Sequence, residues 1–152
     1  NLNYANALAD KGLYDLALIY YDKTLSLSPN NGHALTGKGN IAAMRGELDA
    51  ALGYYEQALR AGKGDARILA DIANVHFFKG NPGKVLEFMA EAIEADPGNA
   101  QLHNNLGLIY AKSGSLEKAA AEFEAALKLD PKMNEAAANL ATARQRLSSR
   151  KH

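Results

Sequence analysis

The side chains best suited to acid-base chemistry or to holding a metal are the histidines, and their spacing serves neither purpose. His33, His76, His103 and His152 form no His-Glu-x-x-His motif. If His76 and His103 met across a helix seam, they would still be two ligands where a zinc site needs three or four. The lack of cysteine removes disulfides, thiolate metal sites and a cysteine nucleophile. Gly37-Lys38-Gly39 and Gly62-Lys63-Gly64 imitate a phosphate-binding loop, but neither has the P-loop spacing or follows a strand. No catalytic group, metal or cofactor is therefore expected, and the chain reads as not an enzyme. The polar residues that do recur are asparagines. Asn6, Asn40 and Asn74 share one register, and Asn3, Asn105 and Asn139 share another. An amide donates and accepts hydrogen bonds at once, so a column of them matches the backbone of an extended peptide whatever its side chains.

Such a column needs a scaffold that repeats. Gly12, Gly46, Gly80 and Gly114 stand at a constant spacing of 34 residues, each between two helical patterns. A fixed period of this size marks an array of repeats. Ala100 to Met133 shows the plan most fully, with two amphipathic helices around Gly114 and a closing Asp130-Pro131. The units read as 1–31, 32–65, 66–99 and 100–133. A final helix, 134–148, reads as a cap, because the last unit would otherwise expose its apolar face. The pattern predicts a shortened helix before Gly12, then helices near Tyr14–Leu27, His33–Arg45, Leu48–Ala61, Arg67–Lys79 and Pro82–Ala95. Ser28-Pro29 stops the second of these, since the residue before proline is pushed out of the helical region. Asn81-Pro82 and Ser115 are start signals. In the second unit Gly62-Lys63-Gly64 replaces the closing proline, and this joint is expected to be the loosest. The chain opens mid-pattern at Asn1 without a methionine, which reads as truncation from a longer protein.

Aligning the units separates small positions from large ones. Ala5, Gly39, Ala73 and Gly107 align, as do Ala17, Ala51, Val85 and Ala119, and Thr24, Ala58, Ala92 and Ala126. Small side chains there let paired helices approach closely. Tyr21, Tyr55, Met89 and Phe123 are the large partners that fill the space between units, and Leu25, Leu59, Ile93 and Leu127 extend the seam. Burying one such side chain is worth roughly 1.5–3 kcal/mol. One unit cannot bury enough alone, so the units must stack.

Composition narrows the partners. Seventeen basic residues balance 17 acidic ones over 152 residues. Zero net charge argues against a general binder of nucleic acid or anionic membrane, which would carry a basic excess. No apolar run approaches the roughly 18 residues that span a bilayer. A cysteine-free chain suits cytoplasm and periplasm alike, so the compartment stays open.

The 34-residue pattern resembles the tetratricopeptide repeat (TPR). Its signature is fullest in the fourth unit as Leu106, Gly107, Tyr110, Ala119, Phe123, Ala126 and Pro131, with His103 where tryptophan is preferred. The third unit departs with His76, Val85 and Met89, and the second with Lys38 at a usually apolar position and no proline. The resemblance covers residues 1 to 133. Pentatricopeptide RNA readers have a unit one residue longer and a basic surface, so they fit less well.

This resemblance implies an all-α fold, an α-α superhelix of antiparallel helix pairs whose first helices line a concave groove for a peptide or a partner's helix. The residues expected in that groove are Asn3, Asn6, His33, Asn40, Arg67, Asp71 and Asn74, with Phe77 and Phe78 as hydrophobic anchors. Gln101, Asn104, Asn105, Lys112 and Asn139 continue them. The Asn register resembles the asparagine ladder in the repeats of O-linked N-acetylglucosamine transferase. The family's two-carboxylate clamp for chaperone tails is absent. Its positions hold Leu2, Asn6, Gly37, Arg67 and Asp71 from one start, or Thr36, Asn40, Asp71, Gln101 and Asn105 from the next, and both lack the required cations. The expected function is a non-catalytic scaffold for a protein or peptide. The alternatives are the recruiting or assembly arm of a larger enzyme or of a secretion or pilus machine, and a scaffold that self-associates through its short first helix.

Overall fold

The computed structural model describes residues 1–62 and 65–149. Among them are nine α-helices and no strand. They are α1 (Leu2–Asp10), α2 (Tyr14–Leu27), α3 (Gly32–Met44), α4 (Leu48–Ala61), α5 (Ala66–Phe78), α6 (Pro82–Ala95), α7 (Ala100–Lys112), α8 (Leu116–Leu129) and α9 (Asn134–Ser149). The bounds of α2, α4 and α6 match the sequence pattern, whereas α3 and α5 start and end one residue early. The cause of the early start is a cap on each. Asn31 accepts from the Ala34 amide and Asp65 from the Arg67 amide, and Asn99 does the same for Gln101 at the start of α7. Each side chain satisfies an amide that the first helical turn leaves without a partner. Ser115 occupies the cap position of α8, but its side chain makes no capping hydrogen bond. Lys63 and Gly64 of the expected loose joint lie outside the described residues, as does His152.

Each of the four periodic glycines adopts the left-handed conformation, with φ between 73° and 80°. That conformation turns the chain between paired helices, and a Cβ resists it. At Gly46 an added Cβ would meet nothing within 4 Å, so only the backbone opposes substitution. Gly46→Ala should therefore lower stability by roughly 1–2 kcal/mol. Urea unfolding checks this, and an unchanged midpoint would show that the turn needs no glycine.

The chain divides into two compact units, Asn1–Val85 and Leu86–His152. In the first, α1 packs on α2 and α3 on α4, while α3 also meets α1 and α2, and α5 meets α4. Ala5, Leu8, Ala17, Tyr21, Ala34 and Ile41 form a core cluster there. Two glycines make room for tyrosines. A Cβ on Gly37 would lie 2.3 Å from Cζ of Tyr21, and one on Gly39 would lie 2.5 Å from Cε1 of Tyr55. Lys38 fits its seam by burying its stem and turning its ammonium to Asp22 at 2.6 Å and over the Tyr54 ring at 4.8 Å. Burial alone would lower its pKa, but Asp22 and Tyr54 outweigh burial and raise it.

In the second unit α7 packs on α8, and α9 on both. Phe123, Ala119, Ala120, Leu140 and Ala143 cluster in its core. Gly107 lies flat against the Phe123 ring, where a Cβ would come within 2.5 Å. Ala136, Leu140 and Ala143 make the buried face of α9, and Glu135, Ala138 and Arg144 stand exposed.

Candidate peptide-binding groove

Within the unit Asn1–Val85, a groove of about 860 Å³ opens along the first helices of the repeats. Asn6 and Asp10 reach it from α1, His33 and Asn40 from α3, and Arg67 and Asp71 from α5. Helices pack here with one turn glycine and one period between equivalent positions, which is why side chains far apart in sequence share a wall.

Tyrosines from the second helices orient two of these amides. The hydroxyl of Tyr21 donates to Oδ1 of Asn6 at 2.7 Å, and that of Tyr55 donates to Oδ1 of Asn40 at 2.7 Å. Both rings are about 2% exposed, so the hydroxyls would lack partners without the asparagines. Burial raises the pKa of each tyrosine, with smaller contributions from Asp10 at Tyr21 and Asp71 at Tyr55, so both stay protonated donors. With Oδ1 engaged, the Nδ2 protons of Asn6 and Asn40 have no partner among the described residues. The amides thus present donors first, rather than serving both roles equally.

Asp71 is the groove's unusual group. It forms no hydrogen bond or ion pair among the described residues, and burial pushes its pKa up to about 6. Arg67 opposes that rise and Asp65 adds to it. The Arg67 guanidinium is turned to Asp65, 3.4 Å away, and Asp65 also caps α5. Burial raises the Asp65 pKa, but the hydrogen bonds and charge of Arg67 outweigh it and hold the carboxyl below its usual range.

The remaining expected residues are placed differently. Asn3 is exposed on α1, and Asn74 is half-buried on α5. Phe77 and Phe78 close α5 as an edge-to-face pair with centroids 5.8 Å apart, Phe77 half-buried and Phe78 exposed. In the second unit Gln101 donates to Asn105 at 3.0 Å, and Lys112 is exposed at the end of α7. Asn104 is fully buried, and its Oδ1 accepts from Asn139 at 3.0 Å. Its Nδ2 has no partner among the described residues. This pair ties α7 to α9, and the Asn104 side chain is enclosed by them. His103 sits 2.8 Å from Glu122, joining α7 to α8.

Sequence reasoning missed the tyrosine hydroxyls, which it assigned to packing alone. A signal for them existed, because each pair is 15 residues apart in successive repeats. At the same spacing from Asn74 the sequence has Met89, which has no hydroxyl to offer.

The family model described as Tetratricopeptide repeat matches residues 2–66 and 71–134. The chain belongs to the tetratricopeptide repeat family. TPR repeats are generally interaction modules without catalytic activity, and among the described residues no helix is long and apolar enough to cross a membrane. No curated protein matches this TPR chain in sequence. Among solved structures, YrrB, described as a TPR protein with an unusual peptide-binding site, is 26% identical with a TM-score of 0.68, covering 98% of this chain and 77% of its own. PilF of Pseudomonas aeruginosa is 19% identical with a TM-score of 0.84, over 97% of this chain and 68% of its own. The first TPR of Spaghetti (RPAP3), solved with the HSP90 peptide SRMEEVD, is 21% identical with a TM-score of 0.66, over 77% of this chain and 93% of its own. The last two likenesses concern the fold alone.

Proposed function

We propose that this TPR chain is a non-catalytic scaffold that holds an extended segment of a partner protein in the groove of residues 1–85. The observation that carries this reading is the pair of asparagine amides whose oxygens are engaged by buried tyrosines, while their donors have no partner among the described residues. Amide donors at successive repeats suit the carbonyls of an extended backbone, which are present whatever the sequence bound. His33, Arg67 and Asp71 would then act on the ligand's side chains. Asn74, Phe77 and Phe78 would extend the contact along α5, and Asn3 along α1. In the second unit Gln101, Asn105 and Lys112 are the candidates, with Asn104 and Asn139 supporting the helices behind them.

The test is selection of short random peptides on the immobilised protein, followed by fluorescence anisotropy of those retained. Asn6→Ala combined with Asn40→Ala should weaken binding roughly 10- to 100-fold, the effect of two lost hydrogen bonds. Circular dichroism should show the helical fold retained at room temperature, with a lower melting point because each change takes the partner from a buried tyrosine hydroxyl. Peptides that bind the double variant as tightly as the parent would remove the groove reading.

A further inference from the structure

The lining of the groove is lopsided in charge. Asp10, Asp65 and Asp71 line it with one guanidinium among the described residues, that of Arg67, and Arg67 is engaged by Asp65. Among the described residues Asp10 and Asp71 form no ion pair, Asp71 feeling only the longer-range attraction of Arg67, and the two differ in setting. Asp10 is exposed at the end of α1, whereas Asp71 lies half-buried in the middle of α5, beside the Asn40–Tyr55 pair whose hydroxyl feels its charge. A half-buried carboxylate with no donor among the described residues is costly to keep ionised. Of the groups an extended peptide can bring, a cation restores most of what burial removed, because it adds opposite charge to the hydrogen bond that a neutral donor gives, and an acidic side chain repels. A long stem with a terminal cation can also reach into a groove while its backbone stays at the asparagine amides.

We propose that the groove selects a segment carrying lysine or arginine, with the cationic side chain seated against the Asp71 carboxylate while the segment's backbone accepts from Asn6 and Asn40. This rests on the peptide-groove reading above and names its specificity. The occupant is thus the reverse of an acidic chaperone tail, and the fixed distance between amide wall and carboxylate sets which position of the segment must be basic. Arg67 does not compete for Asp71, since its guanidinium bonds to Asp65 and leaves only a weaker, longer-range attraction.

The experiment uses peptides selected from a random library on the intact protein. Lysine or arginine should dominate one position relative to Asn6- and Asn40-dependent binding. Replacing that residue by norleucine in a selected peptide should weaken binding about tenfold or more, the effect of one charge-assisted hydrogen bond. Asp71→Asn should cause a similar loss, and combining both changes should add little, because they delete the same pair. Raising salt should weaken the parent pair and leave the norleucine peptide nearly unaffected. Thermal melting and circular dichroism confirm that Asp71→Asn is folded, and Asp71→Glu, which keeps the charge, should restore part of the affinity. Peptides that need Asn6 and Asn40 but show no basic position, or that ignore Asp71→Asn, overturn this inference and leave the groove reading standing. If no selected peptide depends on Asn6 and Asn40, both fall together.

Discussion

Phe123→Ala is expected to destabilise helices α7–α9 by about 3–5 kcal/mol. The ring is 1% exposed and fills the space left by Gly107, with Ala119, Ala120, Leu140 and Ala143 around it. Three of these four neighbours are alanines, which cannot reach into the void, so most of the cavity would persist. That amount is a large share of the stability of an ordinary domain. In a repeat array, stability is close to a sum of repeat and neighbour terms. Hydrogen exchange should therefore speed up throughout α7–α9 while α1–α3 keep their protection. A uniform loss of protection from α1 to α9 would show a single cooperative unit instead. A loss under 1 kcal/mol would mean that the ring is not the keystone its burial implies.

Asp71→Asn should act in the opposite direction. Folding raises this carboxyl from its ordinary value of 3.8 to about 6, chiefly through burial. A group whose pKa is raised on folding binds its proton more tightly in the native state. Native stability therefore falls as pH rises through the window from about 4 to about 6. Above that window the charged form is retained at a cost of about 2–3 kcal/mol. Asparagine keeps the shape and cannot ionise, so at neutral pH the variant should be more stable by about that amount. For a chain of this size, melting should rise by roughly 4–10 °C. Near pH 4 parent and variant should melt together. Melts at the two pH values test this, and an equal gap at both would sink the claim. A group that lowers stability at working pH is expected where binding, rather than folding, uses the charge.

These two residues illustrate how differently the sequence reveals structure and site. Phe123 could be assigned from position alone, because the period of 34 aligns it with Tyr21, Tyr55 and Met89, and apolar size at that register has one physical use. Asp71 stood in the expected groove by the same alignment, but nothing in its neighbours Ala70 and Ile72 distinguishes a solvated carboxylate from a shielded one. Arg67 is its i−4 neighbour on α5, but Tyr55 comes from another helix, on which local pattern has little hold. Asn104 is the clearest divergence. Its neighbour Asn105 is half-buried and bonds to Gln101, yet Asn104 is fully enclosed, because a helical turn of one residue moves a side chain by about 100°. An error of that size in register exchanges groove for core.

What the sequence determined by itself was the array: the 34-residue period, the turn glycines, the helix limits to within a residue and the small-to-large pairing of the seams. Each of these is a local requirement, met by a residue type at a fixed interval, so periodicity carries it. Tertiary structure alone decided which polar atoms are already spent. Only the meeting of α1 with α2 and of α3 with α4 puts Tyr21 and Tyr55 on the oxygens of Asn6 and Asn40. Only the groove's walls leave Asp71 shielded while Arg67 bonds elsewhere. Hydrogen bonding and desolvation depend on atoms brought within a few ångströms by folding, and no repeat in the chain encodes those distances one residue at a time.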